Sequence, residues 1–402
     1  MGGGAAGFFC AVNAARLNPS LKVVIAERSG KLLSKVKISG GGRCNVTHAC
    51  FDISEMSKRY PRGNHFVKKL FHHFSTTDTI EWFKQRGVQL KTEADGRMFP
   101  VTDSSQTIID CLLREADEYH VKIKMQCDIK SIQRSGVHFT LQTAAGEALQ
   151  ADYVCVASGG FPKASMFDWI LATGHSIAPP VPSLFTFNLP QHAITQLMGV
   201  SVPDATVKIS GTKLQQQGPV LITHWGLSGP CVLKLSAYAA RELAGRNWQF
   251  DILVNWLPAY NEQSLKEKML QLRYDNGAQL LYAKNSFGLP QRLWEFFLKE
   301  CNIPETCRRA DLQAKPQNEL VKKLTAYACC VKGKTTFKDE FVTAGGINLA
   351  EVDSATMMSR KIPHLFFAGE VLDVDGITGG FNFQNAWSTG WTAAKAISSL
   401  PD

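Results

Sequence analysis

Residues 1–10 of the chain read MGGGAAGFFC, and the spacing of their glycines is the strongest fold signal in the sequence. Gly2, Gly4 and Gly7 form the pattern G-x-G-x-x-G. In dinucleotide-binding domains the first glycine permits a tight turn, the second lets the backbone approach a pyrophosphate, and the third lets a helix and a strand pack closely. The pattern therefore predicts a phosphate-binding loop at the amino terminus of a helix over residues 5–17.

An acidic residue follows the glycines at the distance that dinucleotide binding requires. The run LKVVIAER, at 21–28, contains the β-branched residues typical of a strand buried on both faces. Glu27 lies near its end, 20 residues after Gly7, where a carboxylate can bind the hydroxyl groups of a ribose. No hydrophobic strand precedes Gly2 in the sequence. The match is therefore either accidental or belongs to a domain whose first strand is missing.

Length and composition fit a globular protein with more than one domain. The 402 residues suit two or three domains, and because the apolar runs are short and no signal peptide is present, we expect a cytoplasmic protein without a membrane partner. Eleven cysteines without C-x-x-C spacing predict reduced thiols and no metal site. The net charge of +9 suits anionic ligands, but a solvated basic surface is favoured over nucleic-acid binding. The oligomeric state stays open.

Changes along the chain predict an insertion in the nucleotide-binding domain. Residues 1–178 and 333–402 carry the strand and helix patterns of that domain. The Pro-rich stretch and the short alternating runs of 179–260 predict a β-barrel-like domain. Residues 261–332 have apolar residues at three- and four-residue spacing and predict a small helical domain that can also contain a returning barrel strand. The predicted class is α/β, a Rossmann domain interrupted by two smaller domains.

Capping patterns predict two connecting helices in the first domain. Asp78 is expected to cap a helix over 78–86 that ends before Gly87, and Asp103 is expected to open a helix that runs to about Tyr119. Both helices are expected to be connecting elements.

Two internal glycine-containing loops are candidates for ligand contacts. The stretch SGGGRCN, at 39–45, combines three consecutive glycines with an arginine suited to a phosphate or an electron-rich ring. The strand predicted at 151–157 runs into SGG at 158–160, where missing side chains let the backbone approach a ligand. A tight surface turn, with a solvated arginine in the first loop, is the alternative for both.

The stretch AGEVLDVDGITGGFNFQNAW, at 368–387, supplies carboxylates and a helix amino terminus. Three carboxylates follow a predicted buried strand, namely Glu370, Asp373 and Asp375. In this position they can accept hydrogen bonds from ribose or ribityl hydroxyl groups. The turn at Gly379 and Gly380 leads into a helix whose amino terminus carries about half a positive charge. Directed at the N1/C2 edge of an isoalloxazine, this terminus would stabilise the reduced flavin anion.

Taken together, these stretches resemble one family of bacterial flavoproteins. Six motifs carry the resemblance: GGGAAG, KISGGGRCNVTH, DGRMFP, THWGLSGP, TAGGINLAEVD and FFAGEVLDVDGITGGFNFQNAWSTG. They span essentially the whole chain and resemble the YhiN/BaiN-type NAD(P)/FAD-dependent oxidoreductases, which include proteins labelled aminoacetone oxidase and bile-acid reductase. The resemblance implies a glutathione-reductase-like FAD domain interrupted by a β-barrel and a small helical domain. It also implies a member shortened by about one strand at its amino terminus, with retention of FAD in doubt.

The resemblance implies FAD as the cofactor and NAD(P)H as a transient electron donor. The residues expected to contact FAD are Gly2, Gly4, Ala5, Ala6, Gly7, Glu27, Arg28, Lys35, Ser39, Gly40, Gly41, Gly42, Arg43, Cys44, Asn45, Ser158, Gly159, Gly160, Gly369, Glu370, Asp373, Asp375, Gly379, Gly380, Asn382 and Asn385. We predict hydride transfer between flavin N5 and a small organic substrate. Three alternatives stay open: an amine oxidase that consumes O2, a flavin-bearing RNA-binding or RNA-modifying protein, and a degenerate scaffold without activity.

Two side chains are candidate catalytic groups. His224, in THWGLSGP, is a candidate proton donor from the insertion, with a hydrogen-bonded structural histidine as the alternative. Cys44 lies in the glycine loop at 39–45 and is a candidate redox thiol. A lone cysteine without a resolving partner is more often a packing residue.

Overall fold

The glycine loop leads directly into a helix, as predicted. The computed structural model describes residues 1–283, 285–336 and 342–400. Helix α1 spans Ala5–Leu17, with Gly4 as its N-cap residue. It ends at Asn18, because the following Pro19 cannot continue a helix and restricts the residue before it. The helix predicted over residues 5–17 is confirmed.

Residues 1–183 contain short helices and short strands. The further helices are α2 (Ser34–Gly42), α3 (Ile53–Ser57), α4 (Asn64–Leu70), α5 (Thr76–Lys84), α6 (Ser105–Glu118) and α7 (Asp168–Leu171), the last preceded by a 3-10 turn over Ala164–Phe167. The strands are β1 (Val24–Ala26), β2 (Thr47–His48), β3 (Leu90–Thr92), β4 (Arg97–Pro100), β5 (Lys122–Lys124), β6 (Ile129–Ser135), β7 (His138–Thr143), β8 (Ala148–Ala151), β9 (Val154–Val156) and β10 (Ile177–Ser183). β1 pairs with β5 in parallel, whereas β2-β4-β3 and β6-β7-β8 form antiparallel sheets.

Residues 184–337 form a second compact unit. Its strands are β11 (Thr186–Asn188), β12 (Ser201–Ile209), β13 (Gln215–Ile222), β14 (Gly226–Ser228), β15 (Gln249–Asn255), β16 (Tyr327–Lys332) and β17 (Lys334–Thr335). They form one antiparallel sheet in the order β16-β15-β12-β13-β14-β11-β17. Its helices are α8 (Pro230–Gly245), α9 (Glu262–Asn276), α10 (Gln291–Glu300) and α11 (Ala314–Thr325), and a 3-10 turn spans Ala193–Leu197.

The division of the chain differs from the predicted domain boundaries. The sequence predicts separate inserted domains over 179–260 and 261–332, but apolar side chains of the sheet and of α10, such as Val207 and Trp294, belong to one core. An amphipathic helix must bury its apolar face against another element, and here that element is the sheet. The second unit begins at residue 184 because β10 pairs with a strand of the first unit.

The chain then returns to the first unit, which comprises residues 1–183 and 338–402. The returning elements are β18 (Val342–Ile347), β19 (Leu365–Phe367) and α12 (Phe381–Ser398), with 3-10 turns over Leu349–Glu351 and Gly369–Val371. β18 pairs antiparallel with β10, and β19 pairs in parallel with β9. The first unit is therefore built from both ends of the chain.

Met1 and Gly2 connect the two parallel strand pairs. The Met1 amino group donates to Cys155 O, Ala157 N donates to Met1 O, and Gly2 N donates to Ala26 O, each at 2.8 Å. The carboxyl ends of β1 and β9 consequently meet at the glycine loop. In open α/β sheets, ligands bind outside the carboxyl ends of the parallel strands.

Helices α1 and α12 pack against each other in the core of the first unit. A Cβ atom at Gly390 would lie 2.8 Å from Ala6 O, so the two backbones approach closely. The Phe9 ring lies 4.5 Å from the Trp82 ring and 5.2 Å from the Trp387 ring, measured between centroids. Burying each such aromatic side chain contributes roughly 1.5–3 kcal/mol. This packing holds the amino-terminal and carboxyl-terminal stretches side by side.

Candidate cofactor site

The glycine loop contacts the strand ends at distances that exclude side chains. A Cβ atom at Gly2 would lie 2.3 Å from Ala157 O, and one at Gly7 would lie 1.9 Å from Gly2 O. At Gly4 the position of a Cβ atom faces open space. The loop is thus fixed on its protein side and open on the side where the sequence predicts a pyrophosphate.

Glu27 holds the loop from the end of β1. Its Oε2 accepts a hydrogen bond from Gly3 N at 2.6 Å, and its Oε1 accepts one from Ser29 N at 2.7 Å. Arg28 is exposed on the same turn. Charge-assisted bonds to two backbone N–H groups fix the carboxylate beside the glycine loop. The structure therefore brings the predicted ribose-binding acid and the loop together.

The amino terminus of α1 suits an anion. Its first turn, Ala5, Ala6 and Gly7, contains no acidic residue, and among the described residues no side chain caps it. The first N–H groups of a helix have no intrahelical partner and together carry a partial positive charge. The first turn of α1 can therefore bind a phosphate group.

The segment after β19 lies next to this helix. A Cβ atom at Gly369 would lie 2.8 Å from the Cβ atom of Ala6. Glu370 Oε2 pairs with Lys35 Nζ at 2.5 Å, and Glu370 Oε1 accepts from Thr343 N at 3.0 Å. Predicted cofactor-contacting residues from three distant stretches of the sequence are thus neighbours in the structure.

Three buried polar atoms in this part of the first unit have no hydrogen-bond partner among the described residues. They are Ser158 Oγ, Thr343 Oγ1 and Asn385 Oδ1. Gly160 is packed against one of them, since its Cβ atom would lie 2.6 Å from Thr343 Oγ1. Gly159, beside it, has a positive φ of 76°. Each unpartnered buried group costs about 1–3 kcal/mol, so a polar ligand that satisfies these atoms would stabilise the fold, and the residues present fit FAD.

Thr343 was missed by sequence reasoning. It opens the stretch TAGGI at 343–347, in which Gly345 and Gly346 have positive φ angles of 127° and 148°. A pair of glycines inside a strand was the available signal, because glycine in a strand often marks the close approach of another backbone or a ligand.

The loop at 39–45 interrupts helical geometry within α2. Gly40, Gly41 and Gly42 have positive φ angles of 59°, 69° and 84°. A Cβ atom at Gly40 would lie 2.7 Å from the Phe99 ring, whereas Gly41 and Gly42 face open space. Ser39 donates through Oγ to a backbone carbonyl within the same turn. The loop is therefore anchored at one glycine and open at the next two.

Arg43 already has protein partners in this loop. Its guanidinium carbon lies 3.9 Å from the centre of the Phe99 ring, and its Nη1 lies 2.5 Å from Glu93 Oε1 and 3.6 Å from Asp103 Oδ1. The hydrogen bond to Glu93 is the main reason why the pKa of Arg43 is raised. Its contact with a cofactor stays a prediction.

Cys44 is a buried packing residue in this structure. Its side chain is fully buried, and its backbone N donates to Ser39 O at 3.0 Å. Burial raises the pKa of the Cys44 thiol to about 12. Because only the thiolate is a good nucleophile, this geometry does not support the redox role considered from the sequence.

Asn45 fixes the turn before α12. In the amide orientation that satisfies both groups, Asn45 Oδ1 accepts from Gly380 N and Asn45 Nδ2 donates to Thr47 O, each at 3.0 Å. A Cβ atom at Gly380 would lie 2.5 Å from Thr47 O. Asn45 therefore acts on α12 from a loop more than 300 residues away in sequence.

His48 is a second residue at this turn that sequence reasoning missed. Its ring stacks on the Phe381 ring with 4.7 Å between centroids, and its Nδ1 lies 3.0 Å from Gly379 O. A Cβ atom at Gly96 would lie 2.5 Å from His48 Nε2. The available sequence signal was its position, because Thr47 and His48 directly follow the glycine loop GGGRCNV. His48 positions the Gly379 carbonyl and the first residue of α12.

Asp375 is buried in an ion pair with Arg62, and its contact with a cofactor stays a prediction. Both carboxylate oxygens accept from the Arg62 guanidinium, and Ser183 Oγ donates to the same group at 2.9 Å. Burial raises the pKa of Asp375, although Arg62 and Ser183 oppose the shift. These oxygens are thus engaged by the protein, because the topology places a buried cation directly opposite them.

Asn382 and Asp373 stabilise the same segment through backbone contacts. Asn382 Oδ1 accepts from Gly376 N at 2.8 Å, and Asn382 Nδ2 donates to Gly376 O at 2.9 Å. Asp373, which is half-buried, donates through its backbone N to Ile347 O at 3.0 Å. The Asn382 amide therefore shapes the 376–382 turn, and cofactor contacts of these two residues stay predictions.

His224 belongs to the second unit. It is exposed in the turn between β13 and β14, and its ring lies 4.4 Å from the ring of Trp225, which is 47% exposed. The role of His224 as a proton donor stays a prediction.

Two kinds of feature are absent from residues 1–283, 285–336 and 342–400. No helix in these ranges combines the length and the apolar character that crossing a membrane requires. Their His, Cys, Asp and Glu side chains form no group of three or more arranged to hold a metal ion.

Comparison with known proteins gives matches along the whole chain. A profile of the HI0933-like protein Rossmann domain matches residues 1–396. The chain is 30% identical to the ribosomal RNA dihydrouridine synthase of Escherichia coli K12, over 99% of the chain and 96% of that protein. It is 27% identical to the 3-dehydro-bile acid delta(4,6)-reductase of Clostridium scindens, over 100% of the chain and 98% of that protein.

A solved structure supports the fold. The 3-ketosteroid delta1-dehydrogenase of Sterolibacterium denitrificans, in complex with 1,4-androstadiene-3,17-dione, has a TM-score of 0.51 and 12% identity. The match covers 99% of this chain and 98% of that chain. At this identity the likeness concerns the architecture alone.

Proposed function

The chain belongs to the HI0933-like Rossmann-domain family and is a flavin-dependent oxidoreductase, and we propose that it reduces a carbon–carbon double bond conjugated with a carbonyl group. The names of the two curated relatives support this reaction. Dihydrouridine is uridine with its ring double bond reduced, and a delta(4,6)-reductase of a 3-dehydro compound reduces double bonds conjugated with the 3-carbonyl. The same bond type occurs in two otherwise different molecules.

The observation that carries the proposal is the convergence of both chain ends on one set of strand ends. The glycine loop, Glu27 and the Lys35–Glu370 pair surround the amino terminus of α1. Unpartnered buried oxygens lie in the same unit. We assign the pyrophosphate of FAD to residues 2–7, its adenosine ribose to Glu27, and its flavin to the turn at 379–380. When bound, FAD supplies the hydride acceptor and donor atom N5.

The protein groups at the 379–380 turn can stabilise negative charge. α12 has 18 residues, and its amino terminus contributes about half a positive charge at this turn. Asn45 and His48 hold the turn by bonds to Gly380 N and Gly379 O. Because these groups are fixed before a ligand arrives, the site stabilises charge without reorganising.

The test begins with the full chain reconstituted with FAD. After anaerobic photoreduction, the protein is mixed with uridine, with a 4-ene-3-ketosteroid, and with their saturated counterparts, while flavin absorbance is followed. We expect reoxidation by an unsaturated compound and none by its saturated control. Failure to retain flavin would favour the degenerate scaffold.

A second experiment identifies the electron donor. The oxidised flavoprotein is mixed anaerobically with NADPH, with NADH and with small primary amines. We expect bleaching of the flavin by a nicotinamide donor, which is the donor we propose. Bleaching by an amine, followed by fast reoxidation in O2, would replace the reductase with the amine oxidase.

A further inference from the structure

We infer that the second unit binds a small carboxylate with an apolar body in a pocket of its own. The inference does not rest on the proposed function, because the lining residues all lie within residues 184–337 and none of them is assigned to FAD. The wall comes from α9, α10, α11 and the chain between these helices. The residues on which the argument depends are Arg273, Leu281, Ser286, Phe287, Trp294 and Arg309.

Two stretches of backbone that contribute to the wall run antiparallel. Leu281 N donates to Cys307 O, and Arg309 N donates to Gln279 O, each at 3.0 Å. Because both partners of each bond are backbone groups, these bonds do not depend on the side chains beside them. The positions of Leu281 and Arg309 in the wall are therefore fixed without a ligand.

Arg309 brings a buried cation to this pocket. The residue is 6% exposed, and its Nη2 donates to Ser286 Oγ at 2.6 Å. Burial lowers the pKa of the Arg309 guanidinium, because removal from water disfavours the charged form. A bound anion would act in the opposite direction, since a nearby opposite charge favours the charged form.

Arg273 adds a second guanidinium, and its hydrogen-bond acceptors are neutral. Its Nε donates to Arg309 O at 3.2 Å, and its Nη2 donates to Leu312 O and to Gln317 Oε1. Among residues 1–283, 285–336 and 342–400, no carboxylate forms a salt bridge with Arg273. The positive charge of Arg273 is therefore not neutralised by a described acidic side chain.

Ser286 supplies a hydrogen-bond donor next to the buried cation. The residue is exposed, so it marks the side on which the pocket opens to solvent. Its Oγ accepts from Arg309, and its hydroxyl proton donates to no acceptor in the part of the chain that the structure describes. One carboxylate can therefore contact the Arg309 cation and accept a hydrogen bond from Ser286.

The rest of the wall used in this argument is apolar. Leu281 and Trp294 are buried, and the Phe287 ring lies 5.7 Å from the Trp294 ring, measured between centroids. Trp294 Nε1 donates to Leu281 O at 2.8 Å, so the single polar atom of this side chain already has a partner. The two rings thus offer an apolar surface to the part of a ligand that carries no charge.

A carboxylate fits these groups better than an inorganic oxyanion does. The planar guanidinium group binds a planar carboxylate through two parallel hydrogen bonds. Sulfate or phosphate has no apolar part that could cover the Phe287 and Trp294 rings, and its charge would lie against them. The pocket has a volume of about 370 Å³, including the solvent at its mouth, so the ligand must be small. Isobutyrate combines the two properties in a simple compound.

The experiment observes the pocket directly in the full chain. The tryptophans are replaced by 5-fluorotryptophan, and the fluorine signal of Trp294 is assigned with Trp294→Phe. The protein is then titrated with isobutyrate, with the neutral isobutyramide and with inorganic phosphate. We expect isobutyrate to shift the Trp294 signal saturably and isobutyramide to bind about tenfold more weakly or less, because it lacks the charge-assisted bond. No saturable shift, or equal affinity for isobutyrate and phosphate, would overturn the inference.

Variants of the polar groups test the assignment of the carboxylate. Arg309→Gln should weaken isobutyrate binding about tenfold or more, and Ser286→Ala about threefold, because the first bond is ionic and the second is neutral. Arg308→Gln, at an exposed neighbouring arginine, is the matched control and should bind as the unchanged protein does. If Arg309→Gln does not fold, the exposed Ser286→Ala decides the matter. Equal affinities of Ser286→Ala and Arg308→Gln for isobutyrate would overturn the site.

Discussion

The two helix amino termini of the candidate site are built in different ways. α1 begins at a loop whose shape depends on missing side chains, since Gly2 and Gly7 touch backbone oxygen atoms. α12 begins at a turn held by side chains from another part of the chain, Asn45 and His48. The first terminus is shaped mainly by backbone contacts, both within the loop and with Ala26 and Ala157. The second is held by side chains from a distant part of the chain.

Because of this difference, the two helix termini should be sensitive to different kinds of substitution. A loop made by glycines tolerates no added atom where backbones touch, but it depends on few partners. A turn held by side chains depends on buried polar groups that must be satisfied together. Changes at the turn should therefore cost most where they leave a buried charge behind, and changes at the loop should cost most where they add a methyl group.

The largest effect is expected at the buried ion pair of Arg62 and Asp375, which lies in the segment before the 379–380 turn. Arg62→Ala removes the partner of the fully buried Asp375 carboxylate and should lower the free energy of unfolding by about 3–5 kcal/mol. Chemical denaturation checks this value. The double variant Arg62→Met/Asp375→Leu removes both charges and should recover most of the loss. If the single and double variants are equally unstable, packing rather than charge explains the effect.

The partner of Asp375 could not be predicted from the sequence. Arg62 and Asp375 are 313 residues apart in sequence. The DVDG stretch contains two carboxylates, Asp373 and Asp375, and the sequence pattern does not show which of them would contact a ligand. Which of them is buried depends on how β10 brings Ser183 to the same point. The contact between the glycine loop and Glu27, in contrast, could be predicted from the sequence. The loop, α1 and β1 follow one another directly in the chain, so the spacing of the residues indicates the contact.

The helix caps also show that sequence patterns cannot always identify the residue that makes a contact. Asp78 is expected as a cap, but Ser75 caps α5, and Asp78 is its capping-box partner at N3. Asp103 is likewise expected as a cap, but Ser104 caps α6. Asp103 instead pairs with Lys91. At Asp103 a tertiary charge partner accompanies the outcome, whereas at Asp78 the outcome is a local capping box with Ser75.

The second largest effect is expected in the glycine loop. Gly7→Ala places a methyl group 1.9 Å from Gly2 O and should destabilise the protein by about 1–3 kcal/mol or more while abolishing FAD retention. Gly4→Ala is the matched control, since its Cβ atom enters open space. We expect Gly4→Ala to unfold at the unchanged temperature but to bind FAD more weakly. Thermal unfolding without ligand and FAD titration separate these outcomes; unaltered FAD affinity in Gly4→Ala would place the pyrophosphate elsewhere.

A smaller effect is expected at the turn before α12. Asn45→Ala leaves Gly380 N and Thr47 O without their side-chain partner and should cost about 1 kcal/mol, the usual net value for loss of a hydrogen bond. Asn45→Asp keeps an acceptor for Gly380 N and should restore about half of this stability. Denaturation curves measure both variants. If Asn45→Ala is as stable as the unchanged protein, the side-chain description of this turn is wrong.

The smallest effect is expected for Lys35, whose contact with Glu370 links the α2 region to the segment that follows β19. The Lys35 side chain is 47% exposed, and exposed pairs contribute about 0–1 kcal/mol, so Lys35→Met should barely change the free energy of unfolding. FAD affinity should fall a few-fold at low salt and converge with the unchanged protein at high salt, because exposed charges are screened. Lys37→Met, at another exposed lysine of α2, is the control. Equal losses in both variants would mean that general basic charge, and not the particular position of Lys35, attracts the phosphates.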